Sequence, residues 1–451
     1  MMALWLDRFA RSPVRVMAVS FLLAICTGTG LLMLPWASQA GVGIRLVDAL
    51  FTAVSATCVT GLVVLDTAAE FSRFGQTVIL VLIQLGGLGV MTLSVMGLVL
   101  MGRRMDIGHG IALRDTFDTG SLEDVRPLLR FIVGMTLILE GAGALILAVR
   151  WWTPLGPGGT TVFHAVFHAV SAFCNAGFST LPGGMTGFGD DAISQFIVAG
   201  LIIAGGLGFC VIRDLLGAVR RRFKSASPVG FKLQTRLALM VSAILIAAGM
   251  AGFMVMEQGT SWADWPFSQR LMAAFFQSVS ARTAGFNTVD VGAMTPASQG
   301  MLMILMLIGA SPGSTGGGIK TTTVAVLWMG LVASLKQRRD VTVHGRWIPE
   351  LVIQKAQAVL VLALTGIGLG TLALLVVAPQ DPWAALFEVV SAFGTVGLSM
   401  GLTPTLPAAG KCLVCVLMLV GRLGPLSLVL VLMRPPQSTS FSYAQEPVMI
   451  G

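Results

Sequence analysis

Charge is scarce in this chain. Asp, Glu, Lys and Arg make up only 11% of its 451 residues against 55% hydrophobic ones, and the mean hydropathy is +0.85. So little polar surface excludes a soluble domain of this size, and apolar stretches of spanning length recur throughout, so the chain reads as a polytopic membrane protein. Histidine is scarcer still, four in all. Two of them, His164 and His168, sit close together, and no convergent His/Asp/Glu or Ser/Lys set marks a membrane-embedded enzyme. The six cysteines, Cys26, Cys58, Cys174, Cys210, Cys412 and Cys415, fall in apolar or loop-adjacent sequence. That placement argues against an extracellular disulfide framework and for buried thiols. A cleavage site is also missing: residues 16–35 follow Arg8, Arg11 and Arg15 as a signal peptide would. The run is long, however, and ends at Leu34-Pro35-Trp36 without a small-residue site nearby. It reads as a retained first span.

Basic residues are nearly absent from some links and concentrated in others. Stretches 103–130, 213–236 and 336–355 hold most of them, including Arg220-Arg221-Arg222-Phe223-Lys224, whereas 37–50 and 156–163 have almost none. The net charge of +8 is therefore spread among linkers rather than gathered into a nucleic-acid patch. By the positive-inside rule both termini and the three basic linkers are cytoplasmic.

What the chain does have is one phrase used four times. Val54-Ser55-Ala56, Val170-Ser171-Ala172, Val279-Ser280-Ala281 and Val390-Ser391-Ala392 each follow a phenylalanine three residues earlier and lead to a glycine. Those glycines, Gly61, Gly177, Gly285 and Gly397, lie 116, 108 and 112 residues apart, a unit far longer than any solenoid repeat. Around each phrase the pattern is a span, a short apolar piece and a second span. First spans are expected near 16–33, 129–149, 237–256 and 356–377, and second spans near 77–101, 194–212, 301–335 and 412–433. The pieces between, such as 47–57 and 163–173, are too short to cross and suit re-entrant helices. The expected fold is all-α, with four tandem repeats of helix, pore helix and helix: eight transmembrane helices and four re-entrant pore loops in pseudo-four-fold symmetry. The repeats run 1–102, 103–213, 214–336 and 337–451. Two crossings return the chain to its starting side, so all four share one orientation, unlike inverted transporter halves. Loops at membrane depth then converge on a wet central pore.

Glycine lets a loop turn carbonyls inward, and rings of carbonyls can replace the hydration shell of a cation. The carboxyl ends of four short helices add negative dipole charge at the same place. A lone glycine would be a packing residue; four in one phrase are not so easily dismissed. The first loop, Thr57-Cys58-Val59-Thr60-Gly61-Leu62, and the third, Arg282-Thr283-Ala284-Gly285-Phe286-Asn287-Thr288, resemble those of the Trk/Ktr/HKT superfamily of potassium transporters. The likeness covers nearly the whole chain and is nearer the Ktr membrane subunit than the longer Trk type. It implies potassium uptake across a plasma membrane through a selectivity filter, with sodium as a second candidate ion and no organic cofactor. The residues it implies are Cys58, Val59, Thr60 and Gly61; Cys174, Asn175, Ala176 and Gly177; Thr283, Ala284 and Gly285; and Gly394, Thr395, Val396 and Gly397. The third loop is one residue shorter than the others. Arg282 there either braces the filter from behind or sits at a solvated rim. The resemblance further implies a homodimer docked on a cytoplasmic nucleotide-binding ring of RCK type. Residues 343–350 resemble a docking segment, with Trp347 where a second arginine is usual.

Residues 309–323 place a proline and several glycines inside the second span of repeat three. A nucleotide loop would need lysine directly after its second glycine, and Ile319 separates Gly318 from Lys320. A broken helix over a cavity is the better reading. By resemblance Gly313, Ser314, Thr315, Gly316, Gly317, Gly318 and Lys320 form an intramembrane gate with Arg422 below it. Arg422 near mid-span needs a water path or a partner, with Glu140 and Glu388 as candidate partners. Asp66 and Asp290, five residues beyond their glycines, are either mouth charges that concentrate cations or ordinary loop aspartates. His164 and His168 lack the glutamate of a zinc-protease motif, and Cys412-x-x-Cys415 lacks a second ligand pair. A solute:cation symporter with a broken helix in repeat three remains the alternative function.

Overall fold

A backbone in hydrocarbon must satisfy its own hydrogen bonds, and the described residues do so mostly as helix. The computed structural model describes residues 13–89, 125–224, 230–259, 262–338, 340–343 and 345–424. Within them the order long helix, short helix, helix recurs four times. It runs α1 (Pro13–Leu32), α2 (Leu46–Thr57), α3 (Arg73–Leu88); then α4 (Val125–Trp151), α5 (Gly159–Phe173), α6 (Ala192–Leu207), α7 (Phe209–Lys224). The third set is α8 (Leu233–Met256), α9 (Phe267–Ser280), α10 (Pro296–Leu307), α11 (Thr321–Leu335), and the fourth α12 (Glu350–Val377), α13 (Pro382–Gly394), α14 (Ala408–Leu423). A small hairpin, β1 (Val341–Val343) and β2 (Arg346–Ile348), joins the last two sets with Val343 opposite Arg346.

Local chemistry explains where helices start. Ser72, Asp191, Thr295 and Asp381 each accept a hydrogen bond from an amide in the first turn of α3, α6, α10 and α13, and Pro296 and Pro382 supply the first-turn residue that needs no N–H. Among the described residues three helices are long and apolar enough to cross a membrane, over Leu129–Trp151, Leu233–Met256 and Glu350–Val377. Each also turns apolar side chains outward: Leu137, Ile244 and Val376 are 64%, 57% and 83% exposed. The short α2, α5, α9 and α13 are the buried elements, with Phe51, Phe167, Phe276 and Phe387 of the four phrases fully enclosed.

Within each set the first helix meets the later one through a glycine. A Cβ on Gly28, Gly143, Gly249 or Gly370 would come within 2.6–2.9 Å of Leu82, Leu201, Leu305 or Leu417 respectively. Small residues of this kind let helices approach where no hydrophobic force drives them together in lipid. Between sets, α3 packs on α5, α6 on α9, α10 on α13, and α14 returns to α2. The packing closes a ring.

The expected continuous second spans are shorter or bent. α3 stops at Leu88 before Gly89 (φ 75°), and α14 at Leu423 before Gly424 (φ 82°); the rest of those two expected spans lies outside the described residues. The span expected at 194–212 breaks at Gly208 (φ 88°), where α6 turns by 99° into α7. Glycine is tolerated in membrane helices, so its presence alone gave no sign of a break. The basic stretch near 213–224 is thus the tail of a helix, whereas 90–124, including most of the first basic linker, lies outside the described residues.

Candidate functional site

Each short helix ends at its phrase, and the chain then makes the same turn four times. Val59, Asn175, Thr283 and Thr395, two residues before the glycines, have φ of 56°, 60°, 70° and 50°. Gly61, Gly177, Gly285 and Gly397 follow at 90°, 69°, 75° and 94°. Left-handed backbone at alternate positions turns successive peptide groups the same way, with N–H groups on one side and carbonyls on the other. For valine and threonine the conformation is strained, so the surroundings must hold it.

The phrase serines do part of this. Ser55 Oγ donates to Leu62 O at 2.7 Å and accepts from Gly61 N at 3.1 Å. Ser171 donates to Phe178 O at 2.8 Å, Ser280 donates to Phe286 O, and Ser391 Oγ accepts from Gly397 N at 3.1 Å. The shorter third loop is absorbed at the helix end: Ser280 O accepts from both Ala284 N (3.0 Å) and Gly285 N (3.3 Å). In the other three the serine carbonyl takes the residue before the glycine, at 2.7–2.9 Å, and not the glycine itself.

The four turns touch in a cycle. A Cβ on Gly61 would meet Ala176 O, on Gly177 Ala284 O, on Gly285 Val396 O, and on Gly397 Thr60 O. Four backbone oxygens, one from each phrase, therefore stand against four glycines with no room for a side chain between them. The glycines floor a cavity of about 460 Å³ whose walls include Asp66, Asn287 and Asp290. Both aspartates also serve their own loops: Asp66 Oδ1 accepts from Ala68 N at 2.7 Å and Asp290 Oδ1 from Gly292 N at 2.9 Å.

Behind the ring, Arg282 is 8% exposed and donates to Ser242 Oγ at 3.0 Å, which rules out the solvated rim. His164 and His168 are packing residues, bonded to Thr180 Oγ1 (2.6 Å) and Ser179 Oγ (2.8 Å) just past the second glycine. Among the described residues no group of three metal ligands occurs, and all six cysteines are free.

On the other side of the ring lies the 309–320 loop. A Cβ on Gly316 would strike Thr283 Oγ1 and one on Gly317 would strike Thr395 Oγ1, so the loop presses on two of the strained residues. Thr315 Oγ1 donates to Phe173 O at 3.1 Å and its N–H to Gly205 O at 3.3 Å. Ser311 N donates to Gly206 O (2.9 Å), and Phe209 N to Gly313 O (3.1 Å). Lys320 Nζ folds back onto Gly316 O at 2.6 Å. Arg422 neither pairs with Glu140 nor with Glu388; it donates to Thr315 O and Gly86 O, clamping the loop to α3.

A family model described as a cation transport protein, TrkH, matches residues 8–443. The chain belongs to the TrkH family. Across it, the chain is 38% identical over 442 residues to the Ktr system potassium uptake protein B of Bacillus subtilis (strain 168), covering 98% of this chain and 97% of that protein. It is 36% identical to the protein of the same name from Vibrio alginolyticus, covering 99% and 96%. To the potassium/sodium uptake protein NtpJ of Enterococcus hirae it is 35% identical, covering 98% and 97%. The crystal structure of the potassium transporter TrkH from Vibrio parahaemolyticus shares the fold at TM-score 0.68 and 21% identity, over 92% of this chain and 84% of that one.

In this TrkH-family chain, a second recurring motif was missed. Gly86-Gly87-Leu88-Gly89, Gly205-Gly206-Leu207-Gly208 and Gly421-Arg422-Leu423-Gly424 end α3, α6 and α14 alike. A Cβ on the first glycine of each would strike the carbonyl of Thr57, Phe173 or Phe393 at the end of a short helix. Arg422 thus stands where the other two motifs hold Gly87 and Gly206. Comparing the three lines side by side would have found it.

Proposed function

We propose that this chain is the membrane subunit of a potassium uptake system and that the ring of four glycine turns is its selectivity filter. The observation that carries this is the closed cycle of glycines and carbonyl oxygens, with left-handed backbone at alternate positions in all four phrases. A cation that sheds water there finds oxygens in its place, and the carboxyl ends of α2, α5, α9 and α13 favour positive charge. Asp66 and Asp290 raise the cation concentration in the outer cavity. Eight crossings and four re-entrant helices, in four like-oriented repeats, hold the ring in a plasma membrane with both termini cytoplasmic. The relatives named for potassium uptake favour potassium as the ion, and the one named for potassium and sodium makes sodium the second candidate.

The 309–320 loop with Arg422 is the gate. It lies directly against Thr283 and Thr395, and it is tied down by three different parts of the chain. Relatives named as parts of a Ktr system favour further components, and a homodimer seated on a nucleotide-binding RCK ring is the arrangement proposed.

Rubidium uptake into proteoliposomes, with potassium or sodium as competitor, tests the reading. Potassium should compete far better than sodium in wild type, and Gly285→Ser should erode that preference. Uptake indifferent to the competing ion and unchanged in the variant would overturn the filter and favour the symporter.

A further inference from the structure

One buried acid touches the ring and has no part in the account above. Glu140 lies on α4, 6% exposed, at the back of the second glycine turn. Its Oε2 accepts from Gln84 Nε2 of α3 at 3.3 Å, and its Oε1 faces Cys174 Sγ at 3.8 Å. Cys174 Sγ also lies 3.7 Å from Gln84 Oε1. The thiol is held in a slot made by α3: one turn on from Gln84, Gly87 has no side chain, and a Cβ there would sit 2.5 Å from the sulfur. Residues three apart on a helix share a face, so Gln84 and the Gly87 gap act on Cys174 together.

Cys174 is no bystander. Its amide closes the last turn of α5 onto Val170 O at 2.9 Å, and the next residue, Asn175, is the left-handed one at φ 60°. The Asn175 side-chain amide is 3.2 Å from Thr283 Oγ1, the left-handed residue of the third turn. A continuous line of contacts therefore runs Gln84, Glu140, Cys174, Asn175, Thr283, through three of the four sets. A carboxyl group removed from water needs polar partners, and here they are one amide and one thiol that belongs to the ring.

We infer that Glu140 is a positioning residue for ion selectivity: by holding the Cys174 thiol it fixes the geometry of the second and third turns. It does not touch the ion. The inference rests on the filter reading above, and the test separates the two. Rubidium uptake with potassium or sodium competition would be measured for Glu140→Gln, Cys174→Ala, Cys174→Ser and the double variant Glu140→Gln/Cys174→Ala, with Gly285→Ser alongside. Size-exclusion profiles report whether each folds; should Glu140→Gln not fold, Gln84→Leu takes its place.

Glu140→Gln is expected to lower the potassium preference about tenfold, with total uptake less affected. Cys174→Ser, which keeps a donor, should lose less of that preference than Cys174→Ala. Once Cys174 is alanine, Glu140→Gln should add nothing, because its effect passes through the thiol. Equal effects of Glu140→Gln in both backgrounds, or no effect of it while Gly285→Ser erodes selectivity, would overturn this role and leave the filter standing. An unchanged Gly285→Ser would remove both.

Discussion

At the scale of single residues, the ring combines strain with closeness. Gly397 has φ 94° and faces Thr60 O with no space for a methyl group. In Gly397→Ala the left-handed backbone alone costs about 1–2 kcal/mol, before the clash with a backbone oxygen is counted. The turn should open, and potassium preference in rubidium competition should fall at least about tenfold. Arg422 makes a second case. Its fork spans two carbonyls on different elements, Thr315 O and Gly86 O, which one ammonium cannot reach in the same way. Arg422→Ala and Arg422→Lys should both raise rubidium uptake by the chain without partners, the alanine more. Equal rates in all three would mean that the clamp does not hold the loop.

Among the elements, the 309–320 loop is fastened chiefly to the second set. Thr315→Val keeps the shape and removes the bond to Phe173 O, a loss of about 1 kcal/mol that should loosen the closed loop and raise uptake several-fold. Gly208→Ala acts on the bend itself, with φ 88° and Pro312 O 2.6 Å from the new Cβ. The expected result is a lower thermal unfolding midpoint together with altered uptake, since the bend and the loop share a contact. Much of this level was legible beforehand. The four short helices and their glycine turns come from local sequence, a phrase with its own serine brace, and so could be read directly. The bend at Gly208 and the partners of Arg422 could not. A glycine in an apolar helix looks the same whether it packs or breaks, and a backbone carbonyl leaves no mark in the sequence, so the acidic residues drew attention instead.

In the whole molecule, three junctions between neighbouring sets are covalent and the fourth is not. The last set meets the first through α14 on α2, where Lys411 Nζ pairs with Asp48 Oδ1 at 2.7 Å with both side chains about 15% exposed. A pair this sheltered should matter more than the surface norm of about 0–1 kcal/mol. Lys411→Met leaves Asp48 uncompensated and should lower the unfolding midpoint, whereas Lys411→Met/Asp48→Asn should recover part of the loss. A midpoint unmoved by Lys411→Met would show the ring closed by packing alone. Linear connection has a further result at the position of Arg422. In an assembly of four identical subunits any residue facing the axis arrives in quadruplicate, and four guanidinium groups converging beneath one ring would repel each other by many kcal/mol where water is thin. A single polypeptide escapes that arithmetic: Gly87 and Gly206 stay small in their own motifs, so the position carries one guanidinium instead of several, and a nearly symmetric frame can hold an asymmetric contact.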